Sequence, residues 1–206
     1  MADILKLDLK RKYRYLYNST PRAVATVEVP AFQFLMIDGA GDPNTAQEYQ
    51  DGVNALYGVA YTLKFMVKKG SLAIDYPVMA LEGLWWADDM AEFSLARKAA
   101  WKWTMMIMQP EFITREMVAD ATQQAAARRD LPALAQIRFE TYAEGLCAQI
   151  MHLGPYAAEA PAIEKLHAYI AQNGYQRRGK HHEIYLSDPR KTAPARIKTI
   201  LRQPIA

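Results

Sequence analysis

The chain has 206 residues, 51% of them hydrophobic and 23% charged, with a formal net charge of +3 and a single cysteine, Cys147. This balance is that of a folded globular protein, and it argues against a disordered chain, a disulfide-stapled scaffold and a strongly basic nucleic-acid binder. No apolar run reaches the roughly 18 residues of a membrane span, and the N-terminus runs into charge rather than a signal-peptide core, so the reading is a cytoplasmic protein without membrane contact.

The N-terminal cluster Lys6, Lys10, Arg11, Lys12 and Arg14 alternates with Tyr13, Tyr15 and Tyr17. It reads as a solvated arm whose tyrosines pack on the domain, with phosphate contact as the alternative. Residues 24–29 and 32–37 then predict two strands, closed by the turn-rich run 38–44. A helix follows, capped by Asn44 or Thr45, with Tyr49, Val53, Leu56, Ala60, Leu63 and Val67 as its apolar stripe and Gly70 at its end. Residues 77–86 predict a strand, 88–97 a polar connector, and 101–108 a strand halted by Pro110. Ile113-Thr114-Arg115-Glu116 reads as a helix start with Thr114 as N-cap, leading to an outer, alanine-rich helix. Strands are expected over 137–142 and 146–153, a helix around Ile163, Leu166 and Ile170 ending at Asn173-Gly174, and strands over 182–186 and 197–201.

The order strand, glycine-containing loop, helix, strand, strand occurs twice, ending at Gln109-Pro110 and again at Gln203-Pro204. The expectation is an α+β fold: a single domain over 1–206 built from pseudo-repeats 24–112 and 137–206 and joined by a helical connector over 113–136. Antiparallel sheets, outer helices and a central pocket between the repeats complete it.

Chemistry is concentrated in His181-His182-Glu183-Ile184-Tyr185-Leu186-Ser187. Strand alternation sends Ile184 and Leu186 to one face, suited to the helix layer, and Glu183 with Tyr185 to the other. A mid-strand carboxylate is costly unless its face is wet or offers a partner, so either a pocket or an open sheet face is implied. In the pseudo-equivalent strand Leu81-Glu82-Gly83-Leu84-Trp85-Trp86, the adjacent tryptophans point to opposite faces, and Glu82 is a second candidate acid. Trp101 and Trp103 share a face with Met105 and Ile107, which reads as core or as aromatic lining. Aromatic walls around one carboxylate suit a planar, cationic or electrophilic ligand. His181 and Glu183 oppose His182, and His152 and His167 lack partners at ligand spacing, so no metal is expected. Nucleophilic-triad, phosphate-loop and dinucleotide patterns are absent, no cofactor is expected, and Cys147 reads as an inert core residue.

The segments His182-Glu183-Ile184-Tyr185-Leu186-Ser187-Asp188-Pro189 and Lys198-Thr199-Ile200-Leu201-Arg202-Gln203-Pro204 resemble the C-terminal signature of GyrI-like proteins. Phe34-Leu35-Met36-Ile37-Asp38-Gly39, Gly41-Asp42-Pro43-Asn44, Leu81-Glu82-Gly83-Leu84-Trp85 and Gln109-Pro110-Glu111-Phe112-Ile113-Thr114 are similar to the stand-alone bacterial branch of that family. The resemblance implies a duplicated, SHS2-type fold around a small-molecule cavity. It also implies a divided set of functions: drug sensing, gyrase inhibition, or hydrolysis of cyclopropane-bearing DNA-alkylating toxins.

The family's pocket glutamate maps onto Glu183, and its aromatic lining onto Trp85, Trp86, Trp103, Tyr142 and Tyr185. On the hydrolase reading Glu183 deprotonates a water and Tyr142 donates to the oxygen on which charge collects. On the alternative reading Glu183 is only the counter-charge to a bound cation. The expected partner is a small molecule, with no direct nucleic-acid contact and a monomeric or homodimeric chain.

Overall fold

The computed structural model describes residues 4–88 and 95–206. In chain order the elements are β1 (Leu5–Lys6), α1 (Leu9–Lys12), α2 (Arg14–Tyr17), β2 (Ala25–Val29), β3 (Phe32–Ala40), α3 (Gln47–Lys69), β4 (Ile74–Asp75) and β5 (Leu81–Trp86). They continue with β6 (Lys102–Gln109), α4 (Arg115–Ala126), β7 (Arg138–Tyr142), β8 (Gly145–Leu153), α5 (Ala160–Gln172), β9 (His181–Tyr185) and β10 (Lys198–Pro204). The fold is therefore α+β with antiparallel sheets. Among the described residues no helix is long and apolar enough to cross a membrane.

Two compact units divide the chain. The first comprises the residues up to Lys12, Phe32–Met79 and Trp86–Tyr142; the second comprises Tyr13–Ala31, Ala80–Trp85 and Ala143–Ala206. Their segments interleave in sequence. Although β2 and β5 fall within the first expected repeat, β2 pairs with β8, and β5 pairs with β9, in the second unit.

In the first unit β3 lies between β6 and β7, antiparallel to both. The strand runs on to Ala40, beyond the expected end at Ile37, because Asp38 is held by Thr104 at 2.6 Å and by Arg138 at 2.9 Å. Gly41, at φ +96°, then makes the turn that L-residues with a side chain resist. The helix expected from Asn44 starts at Gln47 with no side-chain cap, since Asp42 engages the Asn44 amide at 2.9 Å in a turn of its own. Leu56, Val59 and Leu63 of α3 are buried, and α3 packs on β3 and β6. Thr114 does cap α4, accepting from the Met117 amide, and α4 lies against α3 with Val118, Ala121 and Ala125 buried. Of the connector expected over 88–97, residues 89–94 lie outside the described residues, and Leu95–Ala100 forms a 3-10 turn.

In the second unit the strand order is β2-β8-β10-β9-β5, every neighbour antiparallel. The expected strand 77–86 begins only at Leu81; Pro77 has no N–H for a ladder. Both faces of this sheet are covered. On one, Leu166 and Ile170 of α5 pack with Ala148, Ile150, Leu201 and Ile205. On the other, Tyr17 of α2 and Leu186 pack against Met151, Ile184 and Ile200. The N-terminal segment expected as an arm thus forms two short helices with Leu9 and Leu16 buried, while Tyr15 stays exposed.

Candidate functional site

The site grows from the pairing of β9 with β5. Gly83 stands opposite Glu183, Trp85 opposite His181 and Leu81 opposite Tyr185. Residues paired across a ladder share a face, so strand alternation gathers Gly83, Trp85, His181, Glu183 and Tyr185 on one side. The Trp85 indole N–H donates to the Tyr185 hydroxyl at 3.0 Å, and that hydroxyl donates to Glu183 Oε2 at 2.8 Å. The other carboxylate oxygen, Oε1, stands 3.4 Å from His181 Nε2, and the Glu183 side chain is 12% exposed. The Tyr156 ring meets Tyr185 edge-on at 5.5 Å.

A glycine at 83 is what leaves room for this chain of donors. A Cβ there would lie 2.7 Å from Trp85 Nε1 and 3.0 Å from the Tyr185 hydroxyl. The result is a carboxylate near solvent, fixed through one oxygen by a relay that begins at a buried indole. Such a group is oriented before any ligand arrives, and preorganisation of this kind serves both binding and proton abstraction.

One expectation about this face is corrected. Ile184 and Leu186 were expected toward the helix layer and Glu183 away from it. Leu201, which α5 covers, is paired with Glu183, so α5 lies on the Glu183 face. The opposite face, with Ile184, is covered by α2 instead. The sheet has helices on both sides, and alternation alone does not say which helix takes which.

That opposite face holds a buried charge network. His182, 1% exposed, places Nδ1 2.9 Å from both oxygens of Glu144, and Nε2 3.0 Å from Glu82 Oε2. Arg202, paired with His182 across β10, donates through Nη1 to Glu144 at 3.1 Å, through Nε to Gln149 at 3.0 Å and through Nη2 to the Leu16 carbonyl at 3.3 Å. Burial opposes the charged form of His182, but the Glu144 carboxylate, then Glu82, outweigh it and push the imidazole up to about 9. Burial likewise opposes ionisation of Glu144, yet His182 and Arg202 hold its carboxyl down at about 2.

Of the residues singled out in the sequence, the structure brings Glu183, Tyr185 and Trp85 together. Glu82 lies on the other face, 2% exposed, bound to His182 rather than beside Glu183. Trp86, Trp103 and Tyr142 belong to the first unit. There Trp86 is half-buried, Tyr142 meets Phe34 edge-on at 6.4 Å, and Trp103 lies flat over Gly39 with Tyr49 edge-on at 5.3 Å. Sequence reasoning missed Glu144, Arg202 and Tyr156. The signal for Arg202 was present: alternation sets it on the face of Ile200, and a charge on an apolar face asks for a partner.

The chain matches the family model of the GyrI-like small molecule binding domain over residues 23–206. A search of the curated proteins finds no match. Among solved structures it is similar to an uncharacterized conserved protein from Listeria innocua, at 36% identity and a TM-score of 0.90, covering 97% of this chain and 100% of that one. It is also similar to a hydrolase from Listeria innocua, at 37% identity and a TM-score of 0.87, covering 98% of this chain and 100% of that one. The C-terminal domain of EcmrR shares the fold alone, at 12% identity and a TM-score of 0.57 over 89% of this chain and 97% of that one. The chain belongs to the GyrI-like small molecule binding family.

Proposed function

We propose that the protein binds a planar electrophilic small molecule at Glu183 and hydrolyses it, opening the strained ring of a cyclopropane-bearing DNA-alkylating compound in self-protection. The observation that carries this reading is the Trp85–Tyr185–Glu183 chain, which fixes one carboxylate oxygen and leaves the group near solvent. The 37% identity to a hydrolase supports it.

In the proposed step the Glu183 carboxylate takes a proton from water as the water oxygen bonds to the ring methylene carbon. The carbon–carbon bond of the cyclopropane breaks, and its electron pair passes into the conjugated carbonyl, which becomes a phenolate and is then protonated. Substrate plus one water gives product, with no other reactant. Tyr185 keeps the carboxylate from swinging, so the water meets the base in one geometry.

A second reading is binding without chemistry. The aromatic rings of Trp85, Tyr185 and Tyr156 beside a carboxylate also suit a flat cation, which the protein would sequester or sense. The two readings separate on Glu183→Gln. With the purified protein and a duocarmycin-type compound, mass spectrometry is expected to show a product heavier by one water from the wild type and none from the variant, which still binds the compound. Equal turnover by both proteins would refute the assignment of Glu183 as the base, and absent turnover by the wild type would refute the hydrolase reading. An unchanged compound with both, and weaker cation binding by the variant, would establish the second.

A further inference from the structure

The buried network beneath the site contains two carboxylates, Glu82 and Glu144, and two cationic groups, His182 and Arg202, each no more than 3% exposed. With both carboxylates ionised, its charges cancel when His182 carries a proton. Geometry agrees: Nδ1 is hydrogen-bonded to the Glu144 carboxylate at 2.9 Å, and Nε2 lies within ion-pair distance of Glu82 Oε2, at 3.0 Å. A neutral imidazole would turn a lone pair toward one of them at a buried position, where such repulsion is costly.

The network also ties the elements that build the site. Glu82 lies on β5 and is separated by one residue from Gly83's neighbour Leu84; His182 immediately precedes Glu183 on β9; Arg202 lies on β10. The Trp85–Tyr185 hydrogen bond crosses from β5 to β9, so it reports the spacing and register of those two strands. A slip of one residue would turn Glu183 to the opposite face. Buried polar contacts of this sort are a recognised way to specify register.

We propose that the His182 imidazolium is a positioning residue for Glu183: clamped between Glu82 and Glu144, it holds β9 in register on β5, and loss of its proton loosens the Trp85–Tyr185–Glu183 chain. The inference rests on the reading of that chain as the working site. With the proton gone and the remaining one kept on Nδ1 toward Glu144, Nε2 turns a lone pair to Glu82, and the attraction that draws the strand of Glu82 and Trp85 to the strand of His182, Glu183 and Tyr185 becomes repulsion.

Among the described residues, further groups face the clamp from the neighbouring elements. From α2 the Tyr17 hydroxyl approaches Glu82 Oε1 at 3.5 Å. From β8 come the neutral Gln149 and the Cys147 thiol, which burial pushes up to about 12. The Arg178 guanidinium bonds the Glu144 carbonyl, and Glu28 of β2 adds a more distant charge beside Cys147.

The test needs no ligand. The Trp85 indole N–H resonance, assigned by its loss in Trp85→Phe, is followed with the His182 imidazole by NMR from neutral to alkaline pH. The expected result is one shared midpoint, which Glu82→Gln moves to lower pH by about one unit by removing one of the two flanking carboxylates. A Trp85 signal that holds through the His182 titration overturns the proposal. So does a Trp85 midpoint that Glu82→Gln leaves in place, since that step would belong to Tyr185. If Glu82→Gln does not fold, the coincidence or separation of the two wild-type midpoints decides alone. Absent hydration with coincident midpoints would refute the hydrolase reading and leave this proposal standing; hydration with separate midpoints would do the reverse.

Discussion

Gly83→Ala adds one methyl group where the site is tightest. The new Cβ would stand 2.7 Å from Trp85 Nε1, 3.1 Å from Trp85 Cε2 and 3.0 Å from the Tyr185 hydroxyl. Ordinary carbon contacts begin near ~3.5 Å, so the indole and the phenol must retreat by about half an ångström or more. The indole has little room to do so, being 3% exposed. Overpacking of this kind costs about 1–3 kcal/mol, which for a chain of this size lowers the melting midpoint by about 2–12 °C. The retreat also stretches the relay that holds Glu183, and a comparable misplacement costs on the order of 10²-fold in rate. Thermal denaturation and turnover of the cyclopropane compound measure the two effects. Gly83→Ala with wild-type stability and a wild-type rate would show that the Trp85–Tyr185–Glu183 chain is not held as described.

Tyr185→Phe deletes both hydrogen bonds of the relay while keeping the ring, and is expected to lower kcat by about 10–100-fold, the worth of a hydrogen bond to a charged group, with KM little changed; an unaltered kcat would contradict it. The buried network predicts stability that depends on pH at both ends. His182 binds its proton more tightly folded than unfolded, so its contribution is complete below about 6.5 and is withdrawn as pH rises through about 9, on the order of 3 kcal/mol in all. Glu144 is the mirror case: its contribution is complete above about 4.5 and is lost as pH falls toward about 2. Urea midpoints across that range check both limbs, and a flat profile from neutral to alkaline pH would refute the His182 assignment. In the first unit, Gly39→Ala would drive a Cβ to 2.1 Å from Trp103 Cη2, and is expected to destabilise by about 3 kcal/mol, measured by urea denaturation.

The fold was legible where elements are long and periodic. The stripe of α3, the capping threonine of α4 and the alternation of β9 all carry their structure in local residue order. The helices α1 and α2, four residues each, were not legible, because one turn is too short to show a period. Glu183 stood out as a carboxylate in the middle of a strand, and that physical oddity marks the site. Its neighbour Trp85 was a harder matter. Its place beside Tyr185 depends on β5 pairing with β9, a contact between residues 100 apart in sequence, and no local pattern states which strands pair. Glu82 misled for the same reason, since the pairing that gives Glu183 its relay also turns Glu82 to the other face and onto His182. Glu144 sits just before β8 beside Gly145, where a carboxylate reads as an ordinary turn residue.

The central claim is that Glu183 activates a water that opens the substrate ring. It is tested most directly by a single turnover in water labelled with oxygen-18, with enzyme in excess over the cyclopropane compound. The account predicts that the labelled oxygen enters the product at the first turnover, and that Glu183→Gln forms none. An unlabelled product hydroxyl would contradict it, because the oxygen would then have come from the carboxylate of Glu183 acting as a nucleophile rather than as a base.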